Sequence, residues 1–277
     1  MIDKKIQENL RMRFNPDNSV LRKHQLRMLD MLIYFDNFCR KHNLKYWLSS
    51  GTLIGAVRHQ GFIPWDDDVD VEMLREDYLK MLELLKETDR FILQTKDNDE
   101  YYAVPYGKLR DKYSYIDEYG QDKYYKFHGI YIDIFIIEKN NRFIAHCYES
   151  IIWKLIDWGS QHKPTYFRKK IFIQFKNIIY GSISIARFLF GWLPSNQWRQ
   201  TYGGGFYNNI RCYEDIFPLK TATFENYSFP VPANCDGYLR KIYGNYMELP
   251  DLEHLHIHAQ NVTFYDKKSN VSFRNSS

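Results

Sequence analysis

Cysteine is scarce in this chain of 277 residues, and long apolar runs are missing. The four cysteines are scattered, without a CxxC motif or a close Cys/His pair, so buried thiols in a reducing compartment are expected. Their spacing leaves a structural zinc site as the alternative. They are Cys39, Cys147, Cys212 and Cys235.

Further absences bear on location and partners. No stretch of about 18 uncharged apolar residues occurs, so no bilayer-spanning segment is expected. The segment 1–5 lacks the apolar core of a signal peptide, which makes the cytoplasm the expected location. The net charge of +4 is small, and there is no basic tail or RNA-reading motif, so we expect no nucleic-acid partner.

What the chain does contain is typical of a globular protein: 26% charged and 44% hydrophobic residues. Apolar periodicity predicts helices over 20–42, 53–58, 76–87, 142–158, 165–192 and 234–243. Strands are predicted over 45–49, 69–73, 91–95, 102–110, 113–117, 129–137 and 221–229. Because helices and strands do not alternate regularly, we expect a mixed α/β sheet with a helical insert.

The densest chemical feature is a run of aspartates between apolar residues: Asp66, Asp67, Asp68 and Asp70. Carboxylates this close repel one another unless a cation neutralises them. On a strand, Asp68 and Asp70 leave the same face about 7 Å apart, which suits two ligands of a hard divalent ion such as Mg²⁺. Asp66 extends this row if the strand begins that early. A solvated acidic turn is the alternative, although the flanking Trp65 favours the metal site.

A third carboxylate and a set of anion-binding groups accompany the run. Asp133 stands alone in the apolar strand 129–137, where it is either a third site residue or the partner of an Arg or Lys. The turn 50–52 (Ser50, Gly51 and Thr52) offers hydroxyls and helix amides to a phosphate, or is simply a helix cap. Possible phosphate-clamping cations, each of which is otherwise a surface residue, are Arg58, His59, Lys108 and Arg110.

In this order the segments resemble the LicD family, which includes bacterial phosphocholine transferases, is related to fukutin-type transferases and belongs to the nucleotidyltransferase superfamily. The resemblance rests on 50–59, 61–70, 108–111, 132–135, 224–227, 229–232, 238–239 and 242–244. It implies an α/β (α+β) fold with a nucleotidyltransferase-like mixed sheet, flanking helices and a mostly helical insert. The implied organisation is a catalytic core at 1–137, a helical insert at 138–215 facing the acceptor or membrane, a returning strand and helix at 216–266, and a loose tail at 267–277.

The same resemblance implies a reaction: Mg²⁺-dependent transfer of phosphocholine, or a similar phospho-alcohol, from CDP-choline or a related donor to a surface glycan such as teichoic acid or lipopolysaccharide. CMP would leave, and Mn²⁺ is an alternative metal. By this reading Asp68, Asp70 and Asp133 hold the metal and Asp66 assists. Donor phosphate would be held by Ser50, Gly51, Thr52, Arg58, His59, Lys108 and Arg110. The alternatives are a nucleotidyltransferase that releases pyrophosphate, or a ribitol or glycerol phosphate transferase of the same fold.

Two other segments carry open interpretations. Residues 163–199 are basic and aromatic and contain no acidic residue, which is typical of a helix in peripheral contact with the inner face of an anionic membrane. A buried helix with basic flanks is the alternative. Near the C-terminus, His254, His256 and His258 alternate, which suits a surface strand, a capping segment or a metal cluster.

Overall fold

The computed structural model describes residues 2–118, 120, 122–190, 197–204, 210–254 and 260–265. The helices are α1 (Lys4–Phe14), α2 (Val20–Lys41), α3 (Ser50–Ile54), α4 (Arg75–Leu84), α5 (Arg142–Gln161), α6 (Tyr166–Phe190), α7 (Tyr213–Ile216) and α8 (Cys235–Tyr243), with a π-helical turn at Gly55–His59. The strands are β1 (Tyr46–Leu48), β2 (Asp70–Leu74), β3 (Phe91–Gln94), β4 (Gly107–Asp111), β5 (Ser114–Asp117), β6 (Tyr131–Lys139), β7 (Trp198–Gln200), β8 (Lys220–Phe224), β9 (Tyr227–Val231) and β10 (Gln260–Phe264).

The central sheet is mixed, in the order β1-β2-β6-β4-β3. β2 and β6 run parallel, and the other neighbouring pairs are antiparallel. β7 pairs with the last residues of β6, beyond the part that β4 covers. Two further two-stranded sheets are formed by β5 with β10 and by β8 with β9. The prediction of a mixed α/β fold with flanking helices is therefore confirmed.

Two apolar clusters hold these elements together. The larger packs α2 against the sheet through residues at helical spacing, including Met28, Leu32 and Phe35, all buried. The smaller joins the segment 102–106 to the antiparallel pair α5 and α6, with Phe172 and Ile183 inside. The helical region after β6 thus packs in a second core, which it shares with the segment 102–106 and with Phe135 of β6. The predicted division at 137/138 stays a prediction.

Several local predictions were wrong for identifiable reasons. The strand expected over 221–229 is a hairpin, because Glu225 and Asn226 adopt positive φ values of 52° and 66° and reverse the chain. Residues 102–106 pack as irregular chain in the smaller core, so only the second half of the strand expected over 102–110 forms. The helix expected over 53–58 begins at Ser50, and α1, β7 and β10 were not anticipated. The tail 267–277 lies outside the described residues.

All four cysteines are free thiols, but only Cys39 is buried, and Cys147 is exposed. The expectation of uniformly buried thiols is therefore wrong. Among the described residues, no helix has both the length and the apolar character needed to cross a membrane.

One buried ion pair ties the sheet to the C-terminal region. Arg211 Nη2 donates to Glu72 Oε1 at 2.7 Å, and both side chains are almost fully enclosed. The other oxygen of Glu72 accepts from Trp47 Nε1 at 3.1 Å and from Tyr238 Oη at 2.6 Å. A single carboxylate on β2 thereby links β1, α8 and the segment before α7.

Because removing one partner of a buried pair leaves the other charge uncompensated, Glu72→Gln should lower the free energy of unfolding by about 3–5 kcal/mol in urea denaturation. The matched control is Glu76→Gln, four residues away and exposed, which should change it by less than about 0.5 kcal/mol. Equal effects of the two substitutions would show that the Glu72–Arg211 pair does not hold the fold.

Candidate active site

The parallel pairing of β2 with β6 brings two carboxylates side by side. Asp70 and Asp133 are register partners, and the backbone N–H of Asp133 donates to Val69 O at 2.8 Å. Both residues are buried, at 7% and 8% exposure. Register partners on neighbouring strands point to the same face of a sheet. The structure thus joins the aspartate run of the sequence to the lone aspartate found more than sixty positions later.

Electrostatics place two further aspartates of the run, Asp66 and Asp68, close to this pair. Burial, then Asp68, Asp133 and Asp66, raise the pKa of Asp70 well above its usual range. Burial raises the pKa of Asp133 to about 6, with Glu118 and Asp68 adding to the effect and Lys108 opposing it. Repulsion of this kind would be relieved by a bound cation.

The turn 50–52 organises the carboxylates. The Ser50 hydroxyl donates to the Asp70 carboxylate, and Thr52 Oγ1 accepts from the Asp70 backbone N–H at 2.8 Å. Ser50 has a φ of 48°, a left-handed conformation that is uncommon for a residue with a side chain. A Cβ at Gly51 would lie 2.8 Å from Asp66 Oδ2, so glycine leaves the space that Asp66 occupies. The observed contacts of this turn are with the aspartates, and its predicted contact with phosphate stays a prediction.

Lys108 and Arg110 share one face of β4, as expected, but they bind a carboxylate of the protein. Glu118 accepts from Lys108 Nζ at 2.9 Å and from Arg110 Nη2 at 2.5 Å. Burial alone would raise the pKa of Glu118, but these two cations lower it to about 2. Arg110 is 1% exposed, so the structure gives it a supporting position instead of a surface from which to clamp phosphate. Sequence reasoning missed Glu118, which has no periodicity to mark it.

Lys108 also reaches the carboxylate pair. Its Nζ lies 3.3 Å from Asp133 Oδ1, and the same ammonium stands 3.3 Å from the centre of the Tyr131 ring. Lys108 is the register partner of Asp133 on β4, so Asp70, Asp133 and Lys108 form one row across three strands. Lys108 is therefore the predicted cation that the structure brings to the site.

Arg58 and His59 have other contacts. Arg58 donates to His59 Nε2 and to the backbone carbonyls of Tyr246 and Glu248, which fastens the C-terminal segment. His59 Nδ1 lies 2.5 Å from Gln7 Oε1 on α1. Burial and the adjacent Arg58 lower the pKa of His59 to about 3, so it is neutral at physiological pH. His59 therefore does not supply the positive charge that the sequence predicts.

A network from α2 fixes the loop that leads into the aspartates. Arg22 binds both oxygens of Glu225, and Glu225 Oε1 accepts from the Phe62 backbone N–H at 3.3 Å. Gln25 Nε2 donates to Ile63 O and to Asp66 O, at 3.3 and 2.9 Å. These contacts join two segments that carry the family resemblance, 61–70 and 224–227, although the two lie far apart in sequence.

The donor set fits a divalent cation. Asp133 Oδ1 is buried and makes no hydrogen bond, its one described partner being the Lys108 ammonium at 3.3 Å, and Asp70 lies beside it with a pKa raised by burial and by neighbouring carboxylates. Carboxylate oxygens are the ligands that Mg²⁺ and Mn²⁺ take in proteins. Across the described ranges, no three His, Cys, Asp or Glu side chains are already arranged as a complete metal cluster. His254 is exposed and contacts Asp251, whereas His256 and His258 lie outside the described residues.

Comparison with known proteins identifies the family. Residues 43–183 match the family described as LicD/FKTN/FKRP, nucleotidyltransferase domain. The chain is 28% identical over 260 residues to the lipopolysaccharide cholinephosphotransferase LicD of Haemophilus influenzae, which covers 84% of this chain and 93% of that protein. It is 38% identical over 96 residues to an uncharacterised protein of Rickettsia typhi, 31% of each chain. It is also 53% identical over 34 residues to the human ribitol 5-phosphate transferase FKRP, 12% of this chain and 7% of that protein.

The family match includes every aspartate of the site together with Lys108 and Glu118. Since it extends over more than half of the sequence, the chain belongs to the LicD/FKTN/FKRP family.

Proposed function

We propose that this chain transfers phosphocholine, or a similar phospho-alcohol, from a CDP-activated donor to a sugar hydroxyl of a cell-surface glycan such as lipopolysaccharide or teichoic acid, in a Mg²⁺-dependent reaction that releases CMP. Membership of the family makes the chain a phosphotransferase, and the LicD relative supports phospho-alcohol transfer in glycan modification. The observation that carries the proposal is the buried pair of Asp70 and Asp133 on adjacent parallel strands.

The residues divide the chemistry between them. Asp68, Asp70 and Asp133 would hold Mg²⁺, or Mn²⁺, with Asp66 assisting, and the ion would neutralise charge on the donor diphosphate. Ser50 and Thr52 keep the Asp70 carboxylate and backbone in place. The Asp133 carboxylate would either complete this metal site or accept the proton of the acceptor hydroxyl.

The bond changes define the products. The acceptor oxygen bonds to the phosphorus that carries the alcohol, the bond between that phosphorus and the bridging oxygen breaks, and CMP leaves. Transfer of ribitol phosphate is a second candidate, favoured by the segment that is 53% identical to the ribitol 5-phosphate transferase. Nucleotidyl transfer, the name of the family's domain, would release pyrophosphate instead.

We also propose a cytoplasmic location. The four cysteines are all free thiols, and Cys147 is exposed, a condition that persists in a reducing compartment.

Chelation and product analysis test the reaction. With purified protein and a panel of CDP-alcohols, EDTA should abolish release of CMP, and added Mg²⁺ should restore it, because the diphosphate charge needs a cation. Comparison of CMP release from CDP-choline with that from CDP-ribitol shows which of the two is the donor. Release of pyrophosphate from a nucleoside triphosphate, without CMP from any CDP-alcohol, would contradict phospho-alcohol transfer.

Asp70→Asn separates function from stability. Turnover should fall by more than the roughly 10–100-fold that loss of an outer-shell partner costs, and the rise in melting temperature on adding Mg²⁺ should disappear. Without metal the variant should be at least as stable as the wild type at neutral pH, because a buried repulsive charge is gone.

The pH dependence has a definite sign. Since folding raises the pKa of Asp70 and Asp133, these two carboxyls contribute stability that grows in the metal-free wild type as the pH falls from neutral to about 5. Buried His24 and His59, whose pKa folding lowers, contribute in the opposite direction in both proteins, so the comparison of the wild type with Asp70→Asn isolates the carboxyl contribution. Asp70→Asn should gain less over that range. The control Asp89→Asn, at an exposed position, should retain wild-type turnover and pH dependence. A near-normal rate for Asp70→Asn would remove the carboxylate from the mechanism.

Gly51→Ala tests the placement of Asp66. The added Cβ would lie 2.8 Å from Asp66 Oδ2, which is too close, so the Asp66 carboxylate must move. Because misplacement of a reacting group by about 1 Å can cost a hundredfold, turnover should fall by about tenfold to a hundredfold. Gly181→Ala is the matched control, because a Cβ there meets nothing within 4 Å. Unchanged kinetics in both variants would mean that the position of Asp66 does not affect the reaction.

A further inference from the structure

Helix α6 presents apolar side chains to solvent along most of its length. The outer face of α6, as we define it, is exposed by 49–82% at each member: Phe167, Phe175, Ile178, Ile185, Phe188 and Leu189. At 100° per residue, these positions fall within one sector of the helix. Gln174 and Gly181 interrupt this sector, but large apolar side chains form most of it, and monomeric globular proteins seldom group so many exposed apolar residues on one face.

The opposite side of the same helix is already buried. Phe172 and Ile183 belong to the smaller core, and Ala186 is buried as well. α6 is therefore apolar on both sides, whereas a helix that packs on a protein core in water carries polar residues on its outer side. The outer face needs a second apolar environment to account for it.

Helix α5 extends this surface. Tyr148 Oη donates to Ser182 Oγ at 3.1 Å, and Trp158 stacks on Phe172 with ring centres 5.9 Å apart. The two pairs, 148 with 182 and 158 with 172, fit one antiparallel alignment of α5 and α6. In that alignment Phe143, near the start of α5, lies level with the last turns of α6. Phe143 is 76% exposed, so large apolar side chains of both helices project at the same end of the pair.

The positive charge in this region separates into two groups. Lys176 Nζ donates to four backbone carbonyls of the segment 96–102, and Arg187 binds Glu138, so these two are structural. The prediction that the basic residues of 163–199 meet a membrane is therefore wrong for Lys176 and Arg187. The cations at the start of the helix are exposed: Lys163, Arg168 and Lys170.

Charge decides which occupant fits. α6 contains no acidic residue, and the carboxylates of the helical pair, Glu149 and Asp157, are on α5. Two copies of the chain meeting through their outer faces would leave the exposed cations without a carboxylate partner on the facing helix. The headgroup layer of an anionic membrane offers phosphates to those cations and an acyl boundary to the aromatic side chains.

We propose that the outer face of α6, with Phe143, lies in the interface of an anionic lipid membrane, with the helix axis along the surface. This inference deepens the proposed function. It rests on that function only for the choice of acceptor, because lipopolysaccharide is a glycan attached to lipid. Binding to lipid is a property of the outer face and does not depend on turnover.

Vesicle sedimentation of the full chain tests the proposal. Wild-type protein should bind phosphatidylcholine vesicles that contain phosphatidylglycerol, bind pure phosphatidylcholine vesicles more weakly, and dissociate as salt is added. The double variant Phe175→Ser with Ile178→Ser should bind at least about tenfold more weakly, because two apolar side chains no longer enter the interface. Arg168→Gln with Lys170→Gln should reduce binding and flatten its salt dependence.

The control is Tyr227→Ser, an exposed aromatic on β9, which should bind like the wild type. Circular dichroism and melting temperature should be unchanged in all variants, since the substituted side chains already face solvent. The proposal is overturned if the wild type does not bind anionic vesicles at low salt, or if the double variant binds as the wild type does. It is also overturned if ultracentrifugation shows a dimer that the double variant disrupts while vesicles are not bound, because a second copy would then cover the face.

Release of CMP with a water-soluble acceptor separates the two proposals, and the outer-face variants should retain it. If vesicles bind but no CMP is released from any CDP-alcohol, the proposed reaction fails and the membrane surface stands. If CMP is released but vesicles do not bind, the membrane surface fails alone.

Discussion

The candidate site depends on one constraint: a parallel strand pair holds two buried carboxylates, Asp70 and Asp133, side by side. Left to themselves, such groups would move apart or take up protons. Here the backbone ladder keeps them together, Ser50 and Thr52 fix Asp70, and Lys108 lies against Asp133. Burying these carboxylates together lowers the free energy of unfolding, a cost that functional sites commonly carry.

Strand β2 shows how the same chemical group serves two purposes two residues apart. Glu72 is fully enclosed and meets Arg211, Trp47 and Tyr238, which together satisfy its charge and its lone pairs. Asp70 lies on the same face of the strand but among other carboxylates. The first carboxylate stabilises the fold, and the second has a charge that only a further cation would balance. This contrast separates a structural acid from a site acid more clearly than burial does.

How far the sequence predicts the structure depends on the range of the interaction. Helical periodicity gave α2 within a residue of its bounds, and the aspartate run marked the site correctly. The predicted strand spacing of Asp68 and Asp70 was wrong, because β2 begins only at Asp70. The sequence pattern could not predict the partners of individual side chains. Nothing in the local pattern pairs Arg110 with Glu118, or Arg58 with the backbone carbonyl of residue 246. Predicted phosphate-binding cations thus became supports of the fold. Lys176 and Arg187 gave the same error in the membrane argument, because a cation in an amphipathic pattern does not reveal whether it faces lipid or a buried carbonyl.

The central claim is that these carboxylates share a metal ion at the donor diphosphate. The most direct measurement is the anomalous diffraction of Mn²⁺ in crystals grown with the ion and a non-hydrolysable CDP-alcohol. The account predicts a manganese peak bounded by the carboxylates of Asp70 and Asp133, with the diphosphate on its open side. A peak at another position, or a bound donor whose phosphates contact only protein cations, would contradict it.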